Sequence, residues 1–416
     1  MPPGIKTEEV VPLLPIAFSL KQKGLISLAL FLIAYYVTNC MVQSYMSLFY
    51  TGIRFTSGQI GAINAGVALA SMAFQPIWGT LGDRVKDRRL LLAGLAVASA
   101  ASVFAYRRFT GFLPLLLLAC LFACFYTSLQ HMGDSIILKE LDRHGRPFGP
   151  LRLAGGMAFA LAGVAFGRLL DAPGRALTVP ACAAALCLLT AVSTLSLPRT
   201  PGGQSAGRRM RFTELFRQRE LMALLAFMVP VQITMGYFYT FFSPHFVSLE
   251  GGDTGRLGLC YFISACSEIP FLLMSDRLFD RWGAWRLMRL SAATLALRWL
   301  MLGLSGSVYV VMASQALHGW GFIVMSVCMA KYVSRSVPVE LQASGQMLLA
   351  IVSFGIARAF GNLAGGLLAG GLGRQNVFLA CAGICVAALC LARPGTRIIN
   401  KRENIKNSLT KTENEN

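Results

Sequence analysis

Residues 112–138 read FLPLLLLACLFACFYTSLQHMGDSIIL, an apolar run with one carboxylate, Asp134, and one imidazole, His131. A hydrocarbon core of about 30 Å is crossed by roughly 20 helical residues, so this stretch is long enough to span a bilayer. It is too long and too continuously apolar for a tilted barrel strand, whose faces alternate. With no water available in the core, its backbone N–H and C=O groups must pair within the segment, which leaves a helix.

Similar runs recur on both sides of it. Spans are expected at 24–50, 57–80, 89–107, 112–138, 150–171, 176–197, 220–248, 255–279, 285–304, 307–330, 341–370 and 375–393. The chain has 416 residues, 55% of them hydrophobic and 14% charged, with a mean hydropathy of +0.58. Soluble domains carry about 25% charged residues, so water is not the main solvent here. The expected fold class is an all-α membrane protein with about twelve transmembrane helices. The first span is too long for a signal-peptide core and lacks a small-residue cleavage site behind it, so it is expected to be retained.

The net charge of +19 would suggest nucleic acid in a soluble protein, but here the basic residues fall on alternate loops. Arg84, Lys86, Arg88 and Arg89 follow the second span, Lys139, Arg143 and Arg146 the fourth, and Arg208, Arg209, Arg211, Arg217 and Arg219 the sixth. Arg277, Arg281, Arg286 and Arg289 follow the eighth span, and Lys331 and Arg335 the tenth. The opposite loops hold few, such as Arg54, Arg107, Arg108, Arg256 and Arg374. By the positive-inside rule both termini are cytoplasmic and the spans even in number, which points to a multi-pass protein of the cell (inner or plasma) membrane. Its expected partners are the lipid bilayer, a small-molecule substrate and protons, with no nucleic acid, and the chain is expected to be a monomer.

Residues 198–219 are rich in Gly, Pro, Ser and Arg and read as a cytoplasmic linker. They divide a bundle at 24–197 from a second at 220–394, with an N-terminal tail at 1–23 and a polar tail at 395–416 expected to be disordered. An internal repeat supports the division: Asp83-Arg84-Val85-Lys86-Asp87-Arg88 after the second span is echoed by Asp276-Arg277-Leu278-Phe279-Asp280-Arg281 after the eighth. Two six-helix bundles related in this way enclose a midplane site and rock against each other.

Eleven cysteines, such as Cys120, Cys124, Cys381 and Cys385, lie mostly inside spans, where a small polarisable side chain packs between helices. No loop clusters Cys and His at ligand spacing, so neither a metal site nor a disulfide framework is expected. There is no phosphate-binding Gly-Lys-Ser/Thr loop and no His-Glu-x-x-His motif. The chain is therefore expected to be neither an enzyme nor an ATP-driven pump, and to use no cofactor.

Two stretches carry a family resemblance: Phe74-Gln75-Pro76-Ile77-Trp78-Gly79-Thr80-Leu81-Gly82-Asp83-Arg84, and Phe148-Gly149-Pro150-Leu151-Arg152-Leu153-Ala154-Gly155. The chain resembles the major facilitator superfamily, and within it the branch of lactose permease and the phenylpropionate transporters. The resemblance implies a major facilitator fold around a central cavity, with Gly79, Asp83, Arg84, Arg88, Asp276 and Arg277 shaping a cytoplasmic gate. It also implies that Asp134 and Arg152, 18 residues apart, match the sugar-binding acid and arginine, with Asp in place of Glu. Phe159 stands where the branch has its stacking tryptophan. Glu268, Arg298 and His318 fall where the branch places a buried acid, arginine and histidine, whereas Gly321 replaces its proton-carrying glutamate.

The same residues stand out without the resemblance. Ionisable groups inside the hydrocarbon cost about 2.5–3.5 kcal/mol each on insertion scales and tend to face the bundle interior. Asp134 and Arg152 form either a substrate site or a structural salt bridge near the interface. Glu268 is placed to carry a proton or to bind substrate, and a neutral hydrogen-bonded carboxyl is the alternative. Arg298 is placed to pair with Glu268, and His318 either titrates or packs as a neutral ring. His131 precedes Asp134 by one turn on the same face. Arg358 either holds the halves together or receives an anionic substrate. The glycines of the eleventh span, among them Gly355, Gly361, Gly365 and Gly366, suit close helix packing.

Together these features predict a secondary active transporter working by alternating access, with proton-coupled symport of a small organic solute as the leading expectation. Aromatic acids such as phenylpropionate fit the arginines best, and saccharides or nucleosides fit less well. Proton-driven multidrug efflux is the alternative, and a transporter-like sensor the third.

Overall fold

The computed structural model describes residues 23–200 and 212–391. The expected tails, and residues 201–211 of the expected linker, lie outside the described residues. The described chain is helical almost throughout. Eleven helical runs are long and apolar enough to cross a membrane. One of them, Thr254–Leu304, has 51 residues and is broken at Gly283 (φ 69°, ψ 168°), a backbone setting open to glycine. At 1.5 Å per residue it would run about 75 Å unbroken, far beyond one crossing. It therefore holds two spans.

The membrane helices are α1 (Gly24–Gly52), α2 (Ser57–Arg84), α3 (Arg88–Arg108), α4 (Phe112–Arg143), α5 (Gly149–Leu169) and α6 (Arg175–Leu195). They continue with α7 (Arg219–Val247), α8 (254–282), α9 (284–304), α10 (Val308–Ser336), α11 (Ser344–Leu372) and α12 (Arg374–Leu391). Local signals set their starts. Thr56 accepts from the Gln59 backbone at 3.3 Å while Gln59 accepts from the Thr56 N–H at 3.0 Å, a reciprocal cap on α2. Asp87 caps α3 by accepting from the Arg89 N–H, and Asp253 caps α8 by accepting from the Arg256 N–H.

Several helices outrun the hydropathy. The fourth span fades at Leu138, yet α4 continues to Arg143, because Lys139 and Glu140 are good helix formers and Arg143 pairs with Glu140 at 3.1 Å. The two copies of the acid-base repeat also differ. The first ends α2 at Arg84 and turns through Val85–Asp87, whereas the second, expected as a loop, stays helical, so that Asp276 and Arg277 sit on α8 and Gly283 alone makes the turn.

Helices α3 and α6 pack together, α1 lies on α5 and α6, and α2 lies on α4; farther along, α7 packs on α11 and α12. The main contacts that join these sets are α2 with α11 and α5 with α8, and α7 also meets α1, where Ser243 donates to the Ser44 carbonyl at 2.6 Å. Glycines make the first two possible at the end of the bundle away from the 83–88 turn. A Cβ on Gly61 would strike the Asn362 carbonyl and lie 3.0 Å from Gly366 Cα, and one on Gly167 would lie 3.1 Å from Gly258 Cα. Gly79 on α2 and Gly149 and Gly156 on α5, toward the turn end, face nothing within 4 Å. These close glycine contacts between the halves lie at the end away from the turn.

Three π-helical segments interrupt the regular winding: Met41–Tyr45 in α1, Gly319–Ile323 in α10 and Ala350–Ala357 in α11. Such segments collect at functional sites, since one extra residue per turn re-aims the side chains after it.

Candidate functional site

A cavity of about 580 Å³ lies between α1, α2, α4, α7 and α11. Its wall sets hydrogen-bonding groups and aromatic faces among aliphatic side chains such as Val42, Met46, Val67, Met72 and Ile351. Six carboxamides line it: Asn39, Gln43, Asn64, Gln75, Gln130 and Asn362. Several are held in place by their neighbours. Asn39 donates to Gln43 at 3.3 Å, Tyr35 to Gln130 at 3.4 Å, and Thr240 to Asn362 at 3.0 Å. Tyr35 stacks on Tyr126 with centroids 5.8 Å apart. Among the described residues no carboxylate lines the cavity, and its one guanidinium is Arg358.

Of the residues singled out by the sequence, His131 and Arg358 line this wall, while Asp134, Arg152, Phe159, Glu268, Arg298 and His318 do not. Asp134 lies one turn past His131 toward the turn end of α4, and its Oδ2 is 3.6 Å from Arg152 Nη1 on the first turn of α5. That is a loose ion pair, with the arginine side chain 43% exposed. The guanidinium also lies 5.4 Å from the Tyr36 ring, whose hydroxyl is buried without a partner. Phe159 makes an edge contact with Tyr261 at 6.4 Å.

The second group is tighter. Gly319 lets α10 press against Ser267 of α8, and the Gly319 N–H donates to Ser267 Oγ at 2.9 Å. This brings His318 Nε2 within 3.3 Å of Glu268 Oε1. Arg298 is fully buried on α9, with Nη1 2.8 Å from His318 Nδ1 and Nη2 bonded to Gln315 Oε1. Ser264 donates to the same Gln315 oxygen at 3.1 Å. The direct Arg298–Glu268 pair suggested by the sequence is thus replaced by a relay in which the imidazole stands between them. Arginine has no acceptor, so Nδ1 must be the bare nitrogen and Nε2–H the one facing the carboxylate.

Gly321 packs on α9: its carbonyl accepts from Ser291, and a Cβ would run into Leu295. A glutamate here would have to displace the Leu295 side chain. Arg358 follows the π segment of α11 and sits among three rings, 4.8 Å from Tyr239, 4.7 Å from Phe354 and 5.4 Å from Phe322.

At the acid-base repeat, Asp83 pairs with Arg88, which donates to the Gly82 carbonyl at 3.0 Å and to Ser135 of α4 at 3.2 Å. Asp276 pairs with Lys331 at 2.6 Å and Arg335 at 2.7 Å, both on α10. Each repeat thus ties its helix to the one two places on, α2 to α4 and α8 to α10. Arg84 and Arg277 are exposed.

The cavity amides and Gln315 are not among the residues that charge alone picks out of the sequence. The cost of burying a polar group applies to a carboxamide as well, and amides inside apolar spans are the signal that finds them.

The comparisons agree with this architecture. The family described as MFS_1 like matches residues 25–380. The maltose permease of Geobacillus stearothermophilus is 30% identical over 321 residues, covering 76% of this chain and 80% of its own length. The putative nucleoside transporter YegT of Escherichia coli (strain K12) is 26% identical over 76% of this chain and 77% of its own length. Among solved structures, a point mutant of the nucleoside transporter NupG superposes with a TM-score of 0.77 at 19% identity, covering 88% of this chain and 98% of that one. A bacterial homologue of the human lysosomal transporter Spinster, in an inward-facing and unoccupied conformation, superposes with a TM-score of 0.68 at 14% identity, covering 91% of this chain and 97% of that one. The chain is a multi-pass membrane transporter with the major facilitator fold, and it belongs to the MFS_1 like family.

Proposed function

We propose that this protein carries a polyhydroxylated solute, a saccharide or a nucleoside, across the membrane by alternating access, with symported protons taken up at Glu268. The observation that carries the substrate class is the wall of six carboxamides interleaved with aromatic rings. Carboxamides donate and accept in fixed pairs, as vicinal hydroxyls and nucleobase edges require, and ring faces cover the apolar side of a sugar. The density of paired donors and acceptors favours hydroxylated solutes over phenylpropionate-like acids and lipophilic drugs, which would leave the amides unanswered. The named relatives, a maltose permease and a putative nucleoside transporter, support the same class.

The bundles at 24–197 and 220–394 are the moving halves, and the basic 83–88 turn faces the cytoplasm. The glycine contacts of α2 with α11 and α5 with α8 then seal the outer end, and the cavity communicates inward. The Asp134–Arg152 pair stands between the cavity and the cytoplasm. It opens toward incoming or departing solute because its 3.6 Å separation leaves both partners free to exchange. In the relay on α8, α9 and α10, Arg298 occupies the bare nitrogen of His318, so the carboxylate of Glu268 is where a proton lands. A neutral Glu268 releases its hold on His318, and α8 can move against α10.

The test is uptake into vesicles, with and without a proton gradient, of maltose, uridine and phenylpropionate. Gradient-driven uptake of maltose or uridine, lost in Gln75→Leu and in Glu268→Gln, is the expected result. Gradient-driven extrusion of lipophilic dyes, with no uptake of hydroxylated solutes, would refute the reading.

A further inference from the structure

Among the three arginines that the sequence places within or at the start of spans beside the candidate site, Arg358 has no acid. The other two have carboxylates to answer them, Arg152 directly on Asp134 and Arg298 through His318 on Glu268. No described carboxylate pairs with Arg358, and its Nε and Nη2 are buried with no hydrogen-bond partner. The rings of Tyr239, Phe322 and Phe354 cover the guanidinium but supply no acceptor for N–H groups. Stacking of this kind holds a guanidinium plane in place while leaving its in-plane donors unused.

The residue lines the cavity, with Asn362 one turn further along α11 on the same wall. It also lies just behind the π segment Ala350–Ala357, where the extra residue per turn turns its side chain out of the ordinary helical register. A buried charge left unpaired is costly and is kept where something completes it. Nε and Nη2 are sealed from the cavity that the residue lines, so the group that balances the charge arrives with the solute and meets the guanidinium at its remaining nitrogen, Nη1.

We infer that Arg358 is the anion subsite of this cavity, and that the preferred solute is a polyhydroxylated carboxylate, with its acid group at Arg358 and its hydroxyls on the carboxamides. The assignment rests on the proposed saccharide or nucleoside class and narrows it. The nitrogen left to meet the solute is Nη1, since Nε and Nη2 are sealed, and its charge-assisted contact with a carboxylate is one that a neutral hydroxyl cannot reproduce. It also accounts for a cavity that carries a fixed positive charge and, among the described residues, no negative one.

The experiment measures binding to the purified full-length protein at neutral pH for two matched pairs, maltose with maltobionate and uridine with uridine-5′-carboxylate. The acid of at least one pair is expected to bind roughly tenfold or more tightly than its neutral partner, as a charge-assisted bond implies. Arg358→Gln should bring that ratio to about one while the neutral member still binds, and Arg358→Lys should keep part of it. Melting temperatures of both variants check that the fold is intact, and the lysine variant reads the charge even if the glutamine variant proves unstable. Equal or weaker binding of both acids, or an acid preference that survives in Arg358→Gln, would overturn the subsite and leave the hydroxylated-solute reading standing. Binding of neither member of either pair would overturn both.

Discussion

Arg298 Nη1 lies 2.8 Å from His318 Nδ1, and the opposite nitrogen of that ring lies 3.3 Å from Glu268. One imidazole thus faces a permanent cation and a carboxylate, and its tautomer follows from the fact that arginine only donates. Proton uptake by the ring would require it to give up Arg298, whereas proton uptake by Glu268 loosens only the contact between α8 and α10.

Glu268→Gln copies the protonated carboxyl in shape and charge. Uptake driven by a pH gradient is expected to disappear, while exchange of labelled for unlabelled solute continues within about threefold of the parent. Parallel measurements of both modes in the same vesicles check this. Loss of exchange as well would make Glu268 a substrate ligand instead.

Arg298→Leu leaves His318 Nδ1 without a donor inside the bundle and Gln315 Oε1 with Ser264 alone. An unsatisfied buried group costs about 1–3 kcal/mol, so the variant should melt several degrees lower in detergent. Arg298→Lys should recover less than half of the loss, because one ammonium cannot reach both acceptors as the fork does.

Gly321→Glu would restore the residue type that the lactose permease pattern places here, yet a Cβ at this position runs into Leu295. Overpacking costs about 1–3 kcal/mol, and the buried acid adds to it. A lower melting temperature with no gain in proton coupling is expected, and Leu295→Ala in the same chain should return part of the stability.

Gly61→Leu forces apart α2 and α11, since even a Cβ lies 3.0 Å from Gly366. The sealed end should open, so spin labels at residues 53 and 371 are expected to separate by several ångströms relative to the parent. Uptake should fall by roughly tenfold as one of the two alternating states becomes inaccessible.

Asp276→Asn weakens contacts to Lys331 and Arg335 that Ser275 and Asp280 also hold, and Asp83→Asn weakens a contact to Arg88 that is backed by the Gly82 carbonyl and Ser135. Each substitution alone should slow transport by only a few-fold, and the two together by more. Neither should change solute affinity by more than about twofold, because both sites lie at the bundle end. Transport rate and equilibrium binding measured on the same preparations separate the two effects.

Much of this protein is written along the chain. The apolar runs, the alternation of basic loops, the acid-base repeat and the handful of buried ionisable groups are all one-dimensional signals, since insertion into a bilayer is decided segment by segment. The number and approximate ends of the helices follow from them, as does the choice of Asp134, Glu268, Arg298, His318 and Arg358 as residues worth asking about. What only the tertiary structure decided is which of these meet. Lipid is as apolar as the helix interfaces, so hydropathy does not say which face of a membrane helix turns inward. Close contacts do: Gly319 against Ser267 sets His318 beside Glu268, Gly61 against Gly366 sets α2 against α11, and the π segment of α11 precedes the turn that carries Arg358 into the cavity. The six carboxamides come from α1, α2, α4 and α11, and they form one wall only after those helices are rotated and packed.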